Sequence, residues 1–248
     1  MSTQRTALIV GGTRGLGAAV ARRLAVQGAV GTLFLNYLDN DRVARQLRTE
    51  LETLGVQTHL LKANMAFPEA IEVLFDTLGT HTQRLDYFVF AAAVTAFKPL
   101  HGIRANQWDL TFNVSTRAFL LCARHCLPLM TEGGSIVAIS STGAHRFNPN
   151  YGALGVAKAA LESTVQYLAA ELGHQGIRVN GVVPGLIAGE QLPPFPDIRM
   201  VVDETLRRTP AGRLGTPDDI ARVAAFVLTE ADWMLGQNLI VDGGYCLT

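Results

Sequence analysis

The sequence predicts an α/β fold: one doubly wound parallel sheet of about seven strands, helices on both faces, and a single domain over residues 1–248. Three observations carry this. Short apolar runs alternate with longer helical patterns along the whole chain. Several runs are apolar throughout, as suits parallel strands buried on both faces. A glycine cluster follows the first run and opens a helix.

The apolar runs are Ala7–Val10, Thr32–Leu35, Thr58–Leu61, Tyr87–Ala91, Ser135–Ser140, Arg178–Val183 and Asn238–Val241. Helical patterns lie between them near 15–27, 39–54, 68–80, 104–130, 151–174 and 217–230. Thr216-Pro217-Asp218-Asp219 starts the last of these, with Thr216 as N-cap and Pro217 at the first helical position. The order implies right-handed crossovers. No linker, repeat or low-complexity segment divides the chain. The irregular stretch is 186–200, with Pro193, Pro194 and Pro196. Such an insert often forms a lid, here expected near 186–208, where Leu186, Ile187, Leu192, Phe195 and Ile198 would line an apolar tunnel.

Composition narrows the function. Hydrophobic residues make up 48% and charged residues 17%, so the chain can pack a full core. Lys+Arg and Asp+Glu are both 21, which argues against nucleic acid or an anionic membrane as partner, since each needs a basic surface. The three cysteines, Cys122, Cys126 and Cys246, give no disulfide framework and no zinc spacing. Cys122 and Cys126, one helical turn apart, read as packing residues. The histidines show no metal-ligand spacing, so no metal is expected. There is no signal peptide and no stretch long enough to span a bilayer, so the expected compartment is the cytoplasm.

The glycine cluster is Gly11-Gly12-Thr13-Arg14-Gly15-Leu16-Gly17. Glycines there allow a tight turn and bring backbone N–H groups at a helix N-terminus close to a diphosphate. In strand–turn–helix context this is the phosphate end of a Rossmann-type nucleotide fold. The second strand ends at Asn36-Tyr37, roughly 20 residues on, where an acid would hold the ribose 2′-hydroxyl of NAD. Asn36 is not an acid and would not repel a 2′-phosphate, which favours NADPH over NADH.

The spacing Gly-x3-Gly-x-Gly resembles the fingerprint of the short-chain dehydrogenase/reductase family, with Val10 where that family usually has Thr. Several further landmarks follow the resemblance. Arg14 stands where NADP-using members often meet the 2′-phosphate. Asn64, followed by Met65, stands where an adenine-touching Asp is common. Ala91-Ala92-Ala93 replaces the usual Asn-Asn-Ala-Gly, keeping the close approach but losing the amides. Pro184-Gly185, with Ile187 beyond, matches the Pro-Gly near the nicotinamide. Val241-Asp242-Gly243-Gly244 resembles the C-terminal signature.

The family's reactive pair is a Tyr and a Lys. Lys158 lies in Gly155-Val156-Ala157-Lys158, but Leu154 occupies the usual tyrosine position and the nearest tyrosine is Tyr151, seven residues before the lysine. On a helix seven residues are nearly two turns, so both side chains would share a face. The phenol would shift by about 4.5 Å along the axis relative to the usual spacing. In enoyl thioester reduction hydride goes to the β-carbon, and the oxygen that becomes an enolate is two bonds further away than a ketone oxygen. A displaced phenol can serve it. Tyr-x6-Lys, with Lys62-Ala63-Asn64 and Thr209-Pro210-Ala211-Gly212-Arg213, is closest in pattern to the NADPH-dependent type III enoyl-acyl-carrier-protein reductases.

That resemblance implies the roles. Tyr151 donates a hydrogen bond to the substrate carbonyl, and Lys158 lowers the phenol's pKa as a cation and holds the nicotinamide ribose. Ser141, seventeen residues before Lys158, matches the substrate-orienting Ser, and Asn113 matches an Asn that bonds a backbone carbonyl and supports a water chain to the Lys. His145, Arg146 and Phe147 fall in the substrate loop; the basic pair would either meet an anionic carrier or be solvated. The implied partners are a small acyl thioester, free or on an acyl carrier protein, and further copies of the chain in a homotetramer or homodimer. Two alternatives stay open: a carbonyl reductase or alcohol dehydrogenase, and a cofactor-binding protein with no catalysis.

Overall fold

A computed structural model of the chain describes residues 5–189 and 198–248. Seven parallel strands form one sheet in the order β3-β2-β1-β4-β5-β6-β7. They are β1 (Thr6–Val10), β2 (Thr32–Tyr37), β3 (Gln57–Lys62), β4 (Tyr87–Phe90), β5 (Gly134–Ile139), β6 (Ile177–Pro184) and β7 (Asn238–Val241). Every residue of β1 and β4 is buried, as a strand covered on both faces requires.

The helices are α1 (Gly15–Val26), α2 (Asp41–Thr53), α3 (Pro68–Gly79), α4 (Ala105–Phe112), α5 (Ala118–Cys126), α6 (Gly152–Leu172), α7 (Ile198–Arg208) and α8 (Pro217–Thr229). One core layer packs Phe88, Phe90, Phe119 and the α6 residues Leu161 and Val165 on one face of the sheet. The other packs Val20 and Leu24 of α1 with Ile220 and Ala224 of α8 on the opposite face. Cys122 and Cys126 are fully buried in the first layer. None of the helices described is long and apolar enough to cross a membrane.

Three boundaries differ from the sequence reading. The 104–130 pattern is not one α-helix: a π-helical turn, Asn113–Arg117, separates α4 from α5. Such turns insert a residue into the helical ladder and re-aim side chains. Tyr151 precedes α6 rather than belonging to it. The stretch read as irregular, 186–200, runs into α7 at Ile198, where Ile198, Val201, Val202 and Leu206 recur at helical spacing and Thr205 is buried. Residues 190–197, which include Leu192, Pro193, Pro194, Phe195 and Pro196 of the expected lid, lie outside the described residues.

Thr216 caps α8 as its sequence indicates. Its hydroxyl accepts from Asp219 N–H at 3.2 Å, and the Asp219 carboxylate accepts from Thr216 N–H at 2.8 Å. Arg213 pairs with the same carboxylate at 2.7 Å, and together these bonds hold Asp219 well below the usual carboxylate range.

The sheet order reverses at β1, so the crevice between the C-terminal ends of β1 and β4 is the topological switch point. In open α/β sheets ligands bind there.

Candidate active site

The turn after β1 is built by its glycines. Gly11 has φ +72°, and a methyl group on it would come within 2.9 Å of the Ala92 nitrogen. Gly17 lies against Gly11, and its Cβ would sit inside the Gly11 carbonyl oxygen. These two positions accept only hydrogen. The result is a cradle of backbone at the N-terminus of α1, whose free N–H groups and dipole favour a phosphate. A dinucleotide diphosphate fits this cradle. Thr13 is buried beneath it, and Gly15 and Leu16 open α1. Arg14 is exposed, with no side-chain hydrogen bond or ion pair among the described residues.

Asn36 does something other than the sequence suggested. It is 2% exposed, and its amide donates to the Leu61 and Ala63 carbonyls at 3.1 Å each. Its Oδ1 accepts from Gly11 N–H at 3.3 Å. The side chain ties the glycine turn to β3 and is not offered to a ribose. Asn36→Asp would aim a buried carboxylate at two carbonyl oxygens. The expected outcome is a loss of roughly 2–4 kcal/mol in stability, read by chemical denaturation, rather than a gain of NADH use.

The other adenine-end residues are also corrected in part. Met65 is 5% exposed and packs into the core against Cys122, so it does not face a cofactor. Asn64 accepts from Ala66 N–H at 2.9 Å, closing its own turn. Tyr37 is half-buried, with the Lys62 ammonium 5.9 Å over its ring and burial raising its pKa. Ala91 and Ala92 are half-buried and Ala93 is exposed beside the glycine turn.

A cleft of about 900 Å³ opens above the switch point, within the range of sites that hold a cofactor and a small substrate. It brings Thr13, Arg14, Gly15 and Leu16 together with Ser141 and Tyr151. Pro184, Gly185 and Ile187 form another wall, and Met200, Glu204 and Arg208 of α7 reach it from above. Gly185 N–H donates to the Val241 carbonyl at 3.1 Å, which fixes that wall to β7. Gly11, Gly17, Asn36, Tyr37, Asn64, Met65, Ala91, Ala92, Ala93, Asn113 and Lys158 do not line the cleft.

Tyr151 is set by its neighbours. Asn150 adopts φ 60°, a left-handed conformation that Asn tolerates better than most residues. The ring lies over Gly143, where a Cβ would come within 2.5 Å of Tyr151 Cδ1. Gly155 makes room for Gly143 in turn, since its Cβ would lie 2.5 Å from the Gly143 carbonyl oxygen. The phenol donates to Ser141 Oγ at 3.0 Å, and Ser141 also accepts from Gly143 N–H at 3.2 Å.

Lys158 is placed differently from the expectation. It is 3% exposed and its ammonium donates to the Ile139 carbonyl at 2.6 Å. Burial pulls its pKa down to about 8, and Glu162 opposes this. Burial pushes the Tyr151 phenol up, and the influence acting against burial is the Ser141 hydrogen bond. The sequence reading assigned that influence to the Lys158 cation. The physical reason for the difference is that Tyr151 stands before the first turn of α6, so the two-turn helical spacing does not apply. Asn113 is half-buried at the start of the π-helical turn, and its side-chain amide has no partner among the described residues.

Two features were missed in the sequence. Arg146 and Arg208 both donate to backbone carbonyls of the C-terminal tail, at Cys246 and Thr248, and Arg208 lies 4.7 Å over the Tyr245 ring. Glu162 bonds Ser140 Oγ and pairs with His145 Nε2 at 2.8 Å. A signal for Glu162 existed: it lies four residues after Lys158, on the same helical face.

Comparison with known proteins agrees with this architecture. A family profile described as enoyl-(acyl carrier protein) reductase matches residues 10–246. A 1-cyclohexenylcarbonyl-CoA reductase from Streptomyces collinus is 38% identical, over 97% of this chain and 86% of that protein. A hydroxynaphthalene reductase-like protein, Arp2, from Metarhizium brunneum is 31% identical, over 97% of this chain and 94% of its own. The Bacillus cereus enoyl-acyl carrier protein reductase, solved with NADP+ and indole naphthyridinone, superposes with a TM-score of 0.90 at 28% identity, covering 98% of this chain and 97% of that one. The chain belongs to the short-chain dehydrogenase/reductase family and is an oxidoreductase of that family.

Proposed function

We propose that the chain is an NADPH-dependent reductase of an enoyl thioester. The observation that carries this is the Tyr151 hydroxyl, which stands in the cleft seven residues ahead of Lys158 and is aimed by Ser141 at 3.0 Å. The 38% identical relative from Streptomyces collinus, named for a conjugated acyl-CoA, supports it.

When bound, the cofactor supplies the hydride. The N–H groups at the Gly11–Gly17 turn hold its diphosphate, and Pro184, Gly185 and Ile187 hold its nicotinamide end. Arg14, exposed on the cleft rim with no carboxylate partner among the described residues, receives the 2′-phosphate, because a guanidinium matches phosphate geometry. With substrate bound, Tyr151 turns its one proton from Ser141 to the thioester carbonyl oxygen, accepts from the Ser141 hydroxyl in exchange, and strengthens the new bond as that oxygen gains charge. Its raised pKa keeps it protonated for this task. Ser141 orients the phenol. Lys158, whose ammonium rests on the Ile139 carbonyl next to the cleft-lining Ser140, would turn from that carbonyl to hold the nicotinamide ribose, with Asn113 assisting. Leu110, Leu120, Val156 and Tyr167, exposed on α4 to α6, support self-association as a homodimer or homotetramer.

One observation favours a second reading. The Ser141–Tyr151 hydrogen bond also suits protonation of a ketone oxygen, and the Metarhizium relative is named a hydroxynaphthalene reductase-like protein. The readings separate in one experiment. The protein is supplied with 4-deuterated NADPH and either crotonyl or acetoacetyl thioester, and the product is read by NMR. The expected result is deuterium on the β-carbon of the crotonyl product. Turnover of the ketone alone overturns the enoyl reading.

A further inference from the structure

The end of β5 is gripped residue by residue. The Ile139 carbonyl accepts from the Lys158 ammonium at 2.6 Å. The Ser140 hydroxyl donates to Glu162 Oε1. The Ser141 hydroxyl accepts from Tyr151 at 3.0 Å. Glu162 is 7% exposed, one turn beyond Lys158, so the two side chains leave the same face of α6. His145 comes from the loop between β5 and Tyr151. Its Nε2 lies 2.8 Å from the second oxygen of Glu162, and its side chain is 40% exposed. None of the roles assigned above uses Glu162 or His145.

We propose that Glu162, braced by Ser140 and His145 one helical turn beyond Lys158, is a positioning residue that fixes a buried negative charge beside the end of β5 and acts through space as the counter-charge of the Lys158 ammonium. This rests on the reading of Lys158 as the residue that secures the cofactor ribose.

The physical need is plain. A buried ammonium without a counter-charge gives up its proton, and a neutral amine is a weaker donor to a ribose hydroxyl. Burial lowers the Lys158 pKa and Glu162 raises it. The groups facing this pair are few. β5 offers the Ile139 carbonyl and the Ser140 hydroxyl. The loop offers His145. The start of α6 offers the Tyr151 phenol, and β7 offers the Asn238 amide, which donates to the Glu162 backbone carbonyl at 3.4 Å. Among the described residues Glu162 is the charged group that acts on Lys158. A carboxylate in this place would turn to water if left alone. Ser140 and His145 occupy both its oxygens and keep it inside.

The sign of the pH effect follows. NADPH binding weakens as pH rises through the Lys158 pKa, near 8. Removing the Glu162 charge lowers that pKa, so the weakening starts at lower pH. The test is a series of NADPH fluorescence titrations from pH 6 to 10 on the whole protein, with thermal melts to establish folding. Glu162→Gln is expected to move the basic limb of affinity down by about one pH unit, giving a roughly fivefold loss near pH 8 that approaches about tenfold at higher pH. His145→Ala, at a half-exposed position, is expected to move it the same way by less, and it serves if Glu162→Gln does not fold. A basic limb unmoved in a folded variant overturns the proposal. So does a parent protein that binds NADPH with no basic limb. A parent that binds no NADPH at any pH overturns the cofactor assignment beneath it. Scoring binding rather than turnover separates this from the choice between enoyl and carbonyl substrate.

Discussion

Tyr151→Phe is expected to lower kcat by roughly 10²–10³-fold, the usual loss when one donor to a developing oxyanion is removed. NADPH should bind about as tightly as before, because the phenol's hydrogen bond goes to Ser141 and the glycine turn is remote from it. The fold should hold. The ring stays over Gly143, and Ser141 keeps its bond from Gly143 N–H at 3.2 Å. Steady-state kinetics with an enoyl thioester, beside a fluorescence titration of NADPH, checks both halves. A variant with unchanged kcat would assign the oxygen to another donor. A variant with weakened NADPH binding and unchanged kcat would make Tyr151 a structural residue.

The second large effect is at the other end of the cleft. Gly17→Ala would place a methyl group inside the Gly11 carbonyl oxygen, and backbone, unlike a flexible side chain, cannot swing away. Either α1 moves from β1 or the turn deforms. A loss of roughly 3 kcal/mol or more in stability is expected, together with a loss of at least about tenfold in NADPH affinity. Gly28 provides the comparison. Its φ is +61° and a Cβ there meets nothing within 4 Å. Gly28→Ala should therefore cost only about 1 kcal/mol, from backbone conformation alone, and should leave NADPH affinity unchanged. Equal affinity losses at the two positions would contradict the cradle.

The sheet was legible because its signals are local. Fully apolar runs such as Ala7–Val10 and Tyr87–Phe90 can be little else than covered strands, and Thr216-Pro217 announces a helix start through its own hydrogen bonds. The glycine turn was legible for the same reason. α7 was not: Ile198, Val201, Val202 and Leu206 recur at helical spacing, but Pro193, Pro194 and Pro196 directly before them signal an irregular stretch. Asn36 was misread because sequence position reports the end of a strand but not which way a side chain turns there. Its amide points inward to the Leu61 carbonyl of β3 and the Ala63 carbonyl just past it, twenty-five and twenty-seven residues away. The Tyr151–Lys158 relation was only half legible. Spacing named both residues and expected them on one helical face, but Tyr151 precedes α6, and the left-handed Asn150 and the bed at Gly143 decide the pose of its ring, which helical geometry does not supply. The buried Glu162 emerged only when β5, its following loop and α6 came together.

The central claim is that the Tyr151 hydroxyl receives the oxygen that gains charge in the reaction. A crystal structure of the protein with NADPH and an unreactive enoyl thioester analogue measures this directly. The expected result is a thioester oxygen about 2.6–3.2 Å from Tyr151 Oη, within the Ser141 side of the cleft. A thioester oxygen bound by another group, with the phenol turned from it, would contradict the account.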